Sequence, residues 1–132
     1  TTMIPLTRLA TYNGINISDL LKESELSKVA ADTMVGGKTL TGMLGTSAWY
    51  APGAAVAFLV DSILNDQKRI IPCSVFLEGE YGHNDICIGV PVIIGKSGWD
   101  KIIELGLNSS EKDLFAKSAD AVRNMNNALG SI

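Results

Sequence analysis

Adjacent hydroxyls at Thr46 and Ser47 stand just before two aromatics, Trp49 and Tyr50, and a proline, Pro52, in the stretch GTSAWYAPGAAVAFLV from Gly45 to Val60. No charged residue follows until Asp61. Pro52 fits the first turn of a helix, where its missing N–H has no partner to lose. Polar side chains at the mouth of an apolar helix have two readings. They satisfy the first amides as caps, or they join those amides and the positive end of the helix dipole in facing a bound carboxylate or phosphate. In the second reading Trp49 and Tyr50 would shield the site from water. Residue types alone leave both readings open.

Other chemistry is poorly provided for. His83 is the only histidine and lies in the turn GEYGHND, between a glycine and Asn84. A solvated turn histidine is the expectation there, with a general base or ligand as the alternative. One His and two separated Cys do not make the three or four convergent ligands that a metal requires, so no metal site is expected. Ser47 has no second histidine to activate it and no Gly-x-Ser-x-Gly elbow around it. Neither a Gly-x-Gly-x-x-Gly after a strand nor a phosphate-cradling lysine loop occurs. The chain by itself therefore reads as carrying no complete catalytic set.

The 132 residues fit one domain. The chain is 46% apolar and 19% charged, with a net charge of −3 and no run of Lys and Arg, so a core is affordable and nucleic acid is not an expected partner. No apolar segment reaches the roughly 18 residues of a membrane span, and the first residues lack a signal peptide's basic-then-apolar order. Cys73 and Cys87 lie in apolar strand-like runs and are expected as buried free thiols. A cytoplasmic protein is the expectation.

The elements that must position these residues follow from periodicity. Residues 4–17 read as extended pieces around a tight turn at Asn13-Gly14. Ser18 and Ser24 are candidate N-caps, and Leu20, Leu21, Leu26, Val29 and Ala30 give a loose helical spacing. Gly36-Gly37, at about 1 kcal/mol each relative to Ala, suggests two helices bent at the pair. The helix after Pro52 is apolar almost all round and is expected to be the buried central helix. Ile71, Cys73, Val75 and Leu77 alternate on one side of a strand. Residues 86–94 form a second strand and 99–105 a third, joined by hairpin-length turns into an antiparallel meander. Asn108 and Glu111 make a capping box for a last helix whose stripe is Leu114, Phe115, Ser118, Ala121, Val122, Met125 and Leu129, with Gly130 at its end. Helices and strands are segregated, so the fold class is α+β.

The stretch around Ser47 also resembles the pattern Gly-x-Gly-Ser-Ala-Tyr-Tyr-Ala-Pro of NAD-dependent malate dehydrogenases, in the branch related to lactate dehydrogenases. Trp49 replaces one aromatic and Thr46 a glycine. MIPLTRLATYNGINI is similar to the family's Met-Val-Pro-Leu-x-Arg passage and Asn-Gly hairpin. LEGEYGHNDICIGVPVIIGKSGW is similar to its Gly-Glu-Tyr-Gly, Gly-Val-Pro and Ile-Gly-x-x-Gly series, and ELGLNSSEKDLFAKSADAV resembles its final helix. The likeness runs through all 132 residues. It implies that residues 1–132 are the C-terminal, substrate-side domain of a two-domain oxidoreductase of the tricarboxylic acid cycle. In that family NAD is held mainly by an N-terminal Rossmann domain, which would lie upstream of this chain. A His-Asp pair and substrate-clamping arginines would lie there too. The histidine would fall a couple of residues before Thr1, which stands roughly where the Asp would be, so the chain reads as a truncated end.

The resemblance further implies that Thr46, Ser47, Ala51 and Pro52 line the substrate and cofactor pocket, with Ala51 and Pro52 as an apolar wall for the nicotinamide ring. The substrates would be malate and oxaloacetate, and subunits would associate as a dimer or tetramer. Two other readings remain: the corresponding lactate dehydrogenase domain, distinguished by an upstream loop residue, and a non-catalytic oligomerisation module.

Overall fold

The computed structural model describes residues 2–129, which fall into two compact units, one reaching to Ala48 and the other starting at Trp49. Gly130, expected to end the last helix, lies outside the described residues.

In the first unit two short strands, β1 (Thr11–Tyr12) and β2 (Ile15–Asn16), pair antiparallel. Asn13 and Gly14 between them have φ of 49° and 82°, the two positive values that a type I′ turn needs. A single-turn helix at Ile17–Asp19 follows, capped by Asn16 and not by Ser18: the Asn16 Oδ1 accepts from the Ser18 amide at 3.0 Å. Ser24 does not cap either. Helix α1 (Glu23–Leu44) begins one residue ahead of it, and the Glu25 carboxylate reaches back to accept from the Lys22 N–H at 2.8 Å. This helix runs unbroken through Gly36-Gly37, so the expected division into two does not occur. Glycine weakens a helix by entropy but keeps its N–H, and only the loss of that donor interrupts the ladder. The helix stops at Gly45, whose φ of 67° is the left-handed terminator. Of its side chains only Leu26 is buried, while Val29, Val35, Leu40, Met43 and Leu44 are exposed.

The second unit carries α2 (Tyr50–Leu64), the strands β3 (Arg69–Glu78), β4 (Asn84–Gly95) and β5 (Gly98–Ile102), and α3 (Ser109–Leu129). The sheet is the expected antiparallel meander in the order β3-β4-β5. The register pairs Ile71 with Val92, Cys73 with Val90, Val75 with Ile88 and Leu77 with Ile86. Strand period two puts all eight side chains on one face. That face is the core, joined by Ile94 and Ile102 and closed by Phe115 and Ala119 of α3. The other face is bare: Ile70 and Phe76 are exposed on it. Cys73 is half-buried, and Cys87 is exposed, contrary to its expected burial. Cys87 sits opposite Phe76, on the uncovered side.

Three further expectations are corrected. The third strand ends at Ile102, not Leu105, for a reason given below. The helix expected to be central and buried, α2, is exposed along nearly its whole length. Only Ser62 is fully enclosed, its hydroxyl donating back to the Phe58 carbonyl at 2.8 Å. The sheet has a single covered face and cannot enclose a helix that is apolar all round. In α3 the buried line is Glu111, Phe115, Ser118 and Ala119, whereas Leu114, Met125 and Leu129 are exposed. The expected stripe had merged two neighbouring lines, and the sheet takes one. The cap itself is as expected, with the Glu111 N–H donating to Asn108 Oδ1 at 2.9 Å and the Asn108 N–H to Glu111 Oε2 at 2.8 Å.

A charged clasp fixes the end of the β4–β5 hairpin. Lys68 bridges Asp66 at 3.0 Å and Asp100 at 2.7 Å, and Asp66 Oδ1 accepts from the Lys96 N–H at 2.9 Å. That backbone bond, then Lys68, holds the Asp66 carboxyl below its ordinary range, while Asp100 and then Asp66 hold the Lys68 ammonium above its own. A lowered acid stabilises the fold above the ordinary carboxylate range and loses that contribution as pH falls. A raised base does so below the ordinary lysine range and loses it as pH rises. The clasp closes over Gly95, where an added Cβ would land on Lys68 Nζ and lie 2.7 Å from Asp66 Oδ1. Gly95→Ala is expected to lower the urea midpoint, and in a Lys68→Ala background to lower it much less. Equal losses in both backgrounds would show that the clasp is not what the methyl group disrupts.

Candidate functional site

Thr46 and Ser47 belong to the end of the first unit, whereas Ala51 and Pro52 belong to the first turn of α2 in the second. After the left-handed turn at Gly45 the chain leaves helical geometry through residues 46–48. Both hydroxyl residues are exposed there. The cap position of α2 is taken by Trp49, in a helical conformation and with no side-chain cap bond. The capping reading of the two hydroxyls therefore fails. Among the described residues neither hydroxyl carries a hydrogen bond.

The first turn of α2 is correspondingly open. The Gly53 N–H already donates to the Trp49 carbonyl at 2.8 Å, and Pro52 has no N–H to offer. Among the described residues the unpaired donors of this helix start are thus the amides of Trp49, Tyr50 and Ala51, with Ala51 and Pro52 exposed beside them. Trp49 and Tyr50 meet edge to face at 6.4 Å between centroids, but they are 70% and 87% exposed. Their exposure leaves both rings open to water. Further along, Val56, Phe58, Val60 and Leu64 are exposed, with the Arg69 guanidinium 4.3 Å from the Phe58 ring centre as their one charged neighbour among the ring contacts.

A second concavity, of about 590 Å³, opens beside the start of α3, lined among others by Tyr81, His83, Glu104, Lys112 and Phe115. Its polar groups are mostly engaged in holding the fold. Tyr81 has φ of 55°, a left-handed conformation that costs a bulky residue energy, and three bonds hold it there. Its N–H donates to Glu104 Oε2 at 2.8 Å, its hydroxyl donates to the Ile103 carbonyl at 2.6 Å, and that oxygen accepts from the Leu105 N–H at 2.9 Å. The Ile103 N–H still reaches the Pro91 carbonyl, but the tyrosine then takes the next backbone groups. This is why β5 stops short of Leu105.

His83 is half-buried, not the solvated turn residue expected. Its ring lies 5.4 Å from that of Phe115, and Nδ1 is 3.3 Å from an Arg123 guanidinium nitrogen. A guanidinium only donates, so the contact requires Nδ1 to accept and the ring proton to sit on Nε2. Among the described residues no three of His, Cys, Asp and Glu converge as metal ligands. Among the described residues no helix is long and apolar enough to cross a membrane. The tyrosine latch and the His83–Arg123 contact escaped sequence reasoning because their partners lie 22 to 40 positions away. The available signal was a tyrosine inside a glycine-bounded turn, a residue whose hydroxyl needs a partner once covered.

Burial, reinforced by the Glu104 charge, pushes the Tyr81 phenol above its ordinary value against the opposing Leu105 N–H bond. A raised folded-state value means that this contribution to stability is whole below the ordinary tyrosine range near about 10 and is lost as pH rises through it. Tyr81→Phe is expected to cost about 1–2 kcal/mol in urea unfolding at neutral pH, for two hydrogen bonds removed, and to flatten the fall in stability above that range. An unchanged alkaline profile would remove the latch from the account.

A protein-family model described as lactate/malate dehydrogenase, alpha/beta C-terminal domain, matches residues 1–129. The chain is 75% identical over 132 residues to a malate dehydrogenase of Flavobacterium johnsoniae, covering all of this chain and 42% of that protein. It is 65% identical, with the same coverage, to a malate dehydrogenase of Bacteroides thetaiotaomicron. Among solved structures, malate dehydrogenase from Salinibacter ruber superposes with a TM-score of 0.96 at 40% identity, over 98% of this chain and 43% of that one. Lactate dehydrogenase from Eimeria maxima, solved with NADH and oxamate, superposes at 0.94 with 38% identity, over 98% and 42%. The chain thus spans less than half the length of the relatives it matches.

Proposed function

The chain belongs to the lactate/malate dehydrogenase family, and we propose that it is the substrate-side C-terminal domain of an NAD-dependent malate dehydrogenase, interconverting malate and oxaloacetate in the intact protein. The observation that carries this reading is the 75% identity, without loss of coverage, to a protein named malate dehydrogenase. The likeness to a lactate dehydrogenase structure, at 38% identity, supports the family and keeps lactate as the second reading.

The role assigned to this chain is to complete a pocket, with no catalytic residue of its own. Ser47, with Thr46, offers hydroxyls that no fold contact consumes, and such groups are free to bond a substrate oxygen. Ala51 and Pro52 offer exposed apolar surface with no competing N–H at Pro52, which suits contact with a flat ring and the exclusion of water. These residues fit one side of a nicotinamide site, although the chain lacks the glycine-rich loop that would hold a dinucleotide. NAD, when bound, supplies the hydride acceptor. The acid–base pair and the arginine clamp are assigned to the rest of the parent protein.

The apolar surface of α2 supports a further part of the reading. Exposed Val56, Phe58, Val60 and Leu64 are suited to burial against the remainder of the parent or a second subunit, so a homo-oligomer is proposed. A cytoplasmic location is proposed with it.

In the full-length enzyme Ser47→Leu is expected to lower kcat/KM for malate by about a hundredfold, the scale of a misplaced substrate; unchanged turnover would sink the pocket assignment. The isolated chain is expected to oxidise no NADH in the presence of oxaloacetate, whereas clear activity would move the chemistry into this domain. Light scattering is expected to give a mass above the 14.0 kDa of one chain, and a clean monomer would count against association through these surfaces.

A further inference from the structure

Strand β3 is ten residues long and, among the described residues, pairs with β4 on one side only. A long apolar edge of this kind is a template for pairing with another chain. The strand carries Ile70, Ile71, Cys73, Val75, Phe76 and Leu77 with no charge between Arg69 and Glu78, a composition suited to intermolecular sheet formation. Ile70 and Phe76 are exposed on it.

The register shows how that edge is guarded. Pro72 faces Pro91 across the β3–β4 ladder. Neither proline can donate, so this rung cannot be a hydrogen-bonded pair. The Pro91 carbonyl confirms the direction, since it accepts from the Ile103 N–H at 2.8 Å on the side away from β3. The backbone of Pro72 must then point away from β4, toward the open edge. By strand alternation Ile70, Ser74 and Phe76 point the same way. At the far end, after the register shift between Leu77 and Glu78, the Glu78 N–H is occupied by the Glu80 carboxylate at 2.8 Å.

We infer that Pro72 and Glu80 are gatekeepers that close the outer edge of β3 to strand addition by a second copy of this chain. Pro72 splits the row of outward donors, leaving Ile70 isolated and only Ser74 and Phe76 in succession. An incoming strand that engages those two meets the missing donor on one side and a carboxylate acceptor on the other. The apolar residues that build the core-facing side of β3 can thereby be kept without a sticky edge.

The experiment is backbone amide hydrogen exchange at several protein concentrations, with far-UV circular dichroism as the check on folding. In the unaltered chain the Ser74 and Phe76 amides are expected to exchange at rates independent of concentration. In Pro72→Thr their protection is expected to rise with concentration by about five- to tenfold, the effect of roughly one net hydrogen bond. Pro91→Thr restores a donor on the side away from the β3 edge and is expected to leave these amides unchanged. Glu80→Ala, which leaves the proline in place, is expected to give concentration-dependent protection at Glu78 and serves if Pro72→Thr fails to fold. The inference is overturned if folded Pro72→Thr shows no gain, if Pro91→Thr shows the same gain, if Glu80→Ala shows none, or if the unaltered chain already protects Ser74 and Phe76 in a concentration-dependent way.

Discussion

The β3–β4 ladder sets the terms for everything in the second unit. Its register places Val75, Leu77, Ile86, Ile88, Val90 and Val92 on one face, and a one-residue slip would turn all of them outward. The covered face is narrow. It packs against one line of α3 through Phe115 and Ala119 and against one side of α2, of which only Ser62 is fully enclosed. A three-stranded sheet with one dressed face therefore decides which apolar residues of the helices become core and which remain available.

That division separates the parts that hold the fold from apolar surface that the fold leaves unused. The holding interactions all lie within the second unit: the Asn108–Glu111 cap, the Lys68 clasp over Gly95 and the Tyr81 latch. The apolar side chains of α2 are not spent on this core. Removing apolar area from water is worth about 25 cal/mol per Å², so an exposed row such as Val56, Val60 and Leu64 holds association energy that the chain alone does not use. A family domain spanning under half of its relatives is where such a reserve is expected.

The α+β class, the meander, the Asn-Gly hairpin and the capping box were legible because each announces itself in a pattern of neighbouring residues. Strand alternation and an Asn-x-x-Glu spacing are local facts that tertiary packing seldom overrules. Burial was less legible. The helix after Pro52 is apolar on all sides, which means burial somewhere, yet nothing in its periodicity says against which molecule. The same blindness made Cys87 look buried, since alternation fixes that two faces exist and not which of them is covered. Gly36-Gly37 misled in another way, because a residue that lowers helix propensity need not break the hydrogen-bond ladder. His83 and Tyr81 depended on partners far along the chain, to which spacing gives no access.

The residues from Gly45 to Pro52 carry polar groups that do nothing for the helix they precede. A helix start normally recruits a serine, threonine, aspartate or asparagine to satisfy its first amides, at a gain of about 1 kcal/mol. Here a threonine and a serine lie within three residues of the Trp49 cap position, yet neither is used. The helix begins instead on a bulky aromatic, and proline replaces one of the amides that would need a partner. Stability alone would favour moving a hydroxyl to position 49. A sequence that keeps its hydroxyls two and three residues ahead of the cap position, with an exposed aromatic occupying it, forgoes that gain. The forfeited stabilisation is the physical argument behind the proposal that these groups serve a ligand rather than the helix they precede.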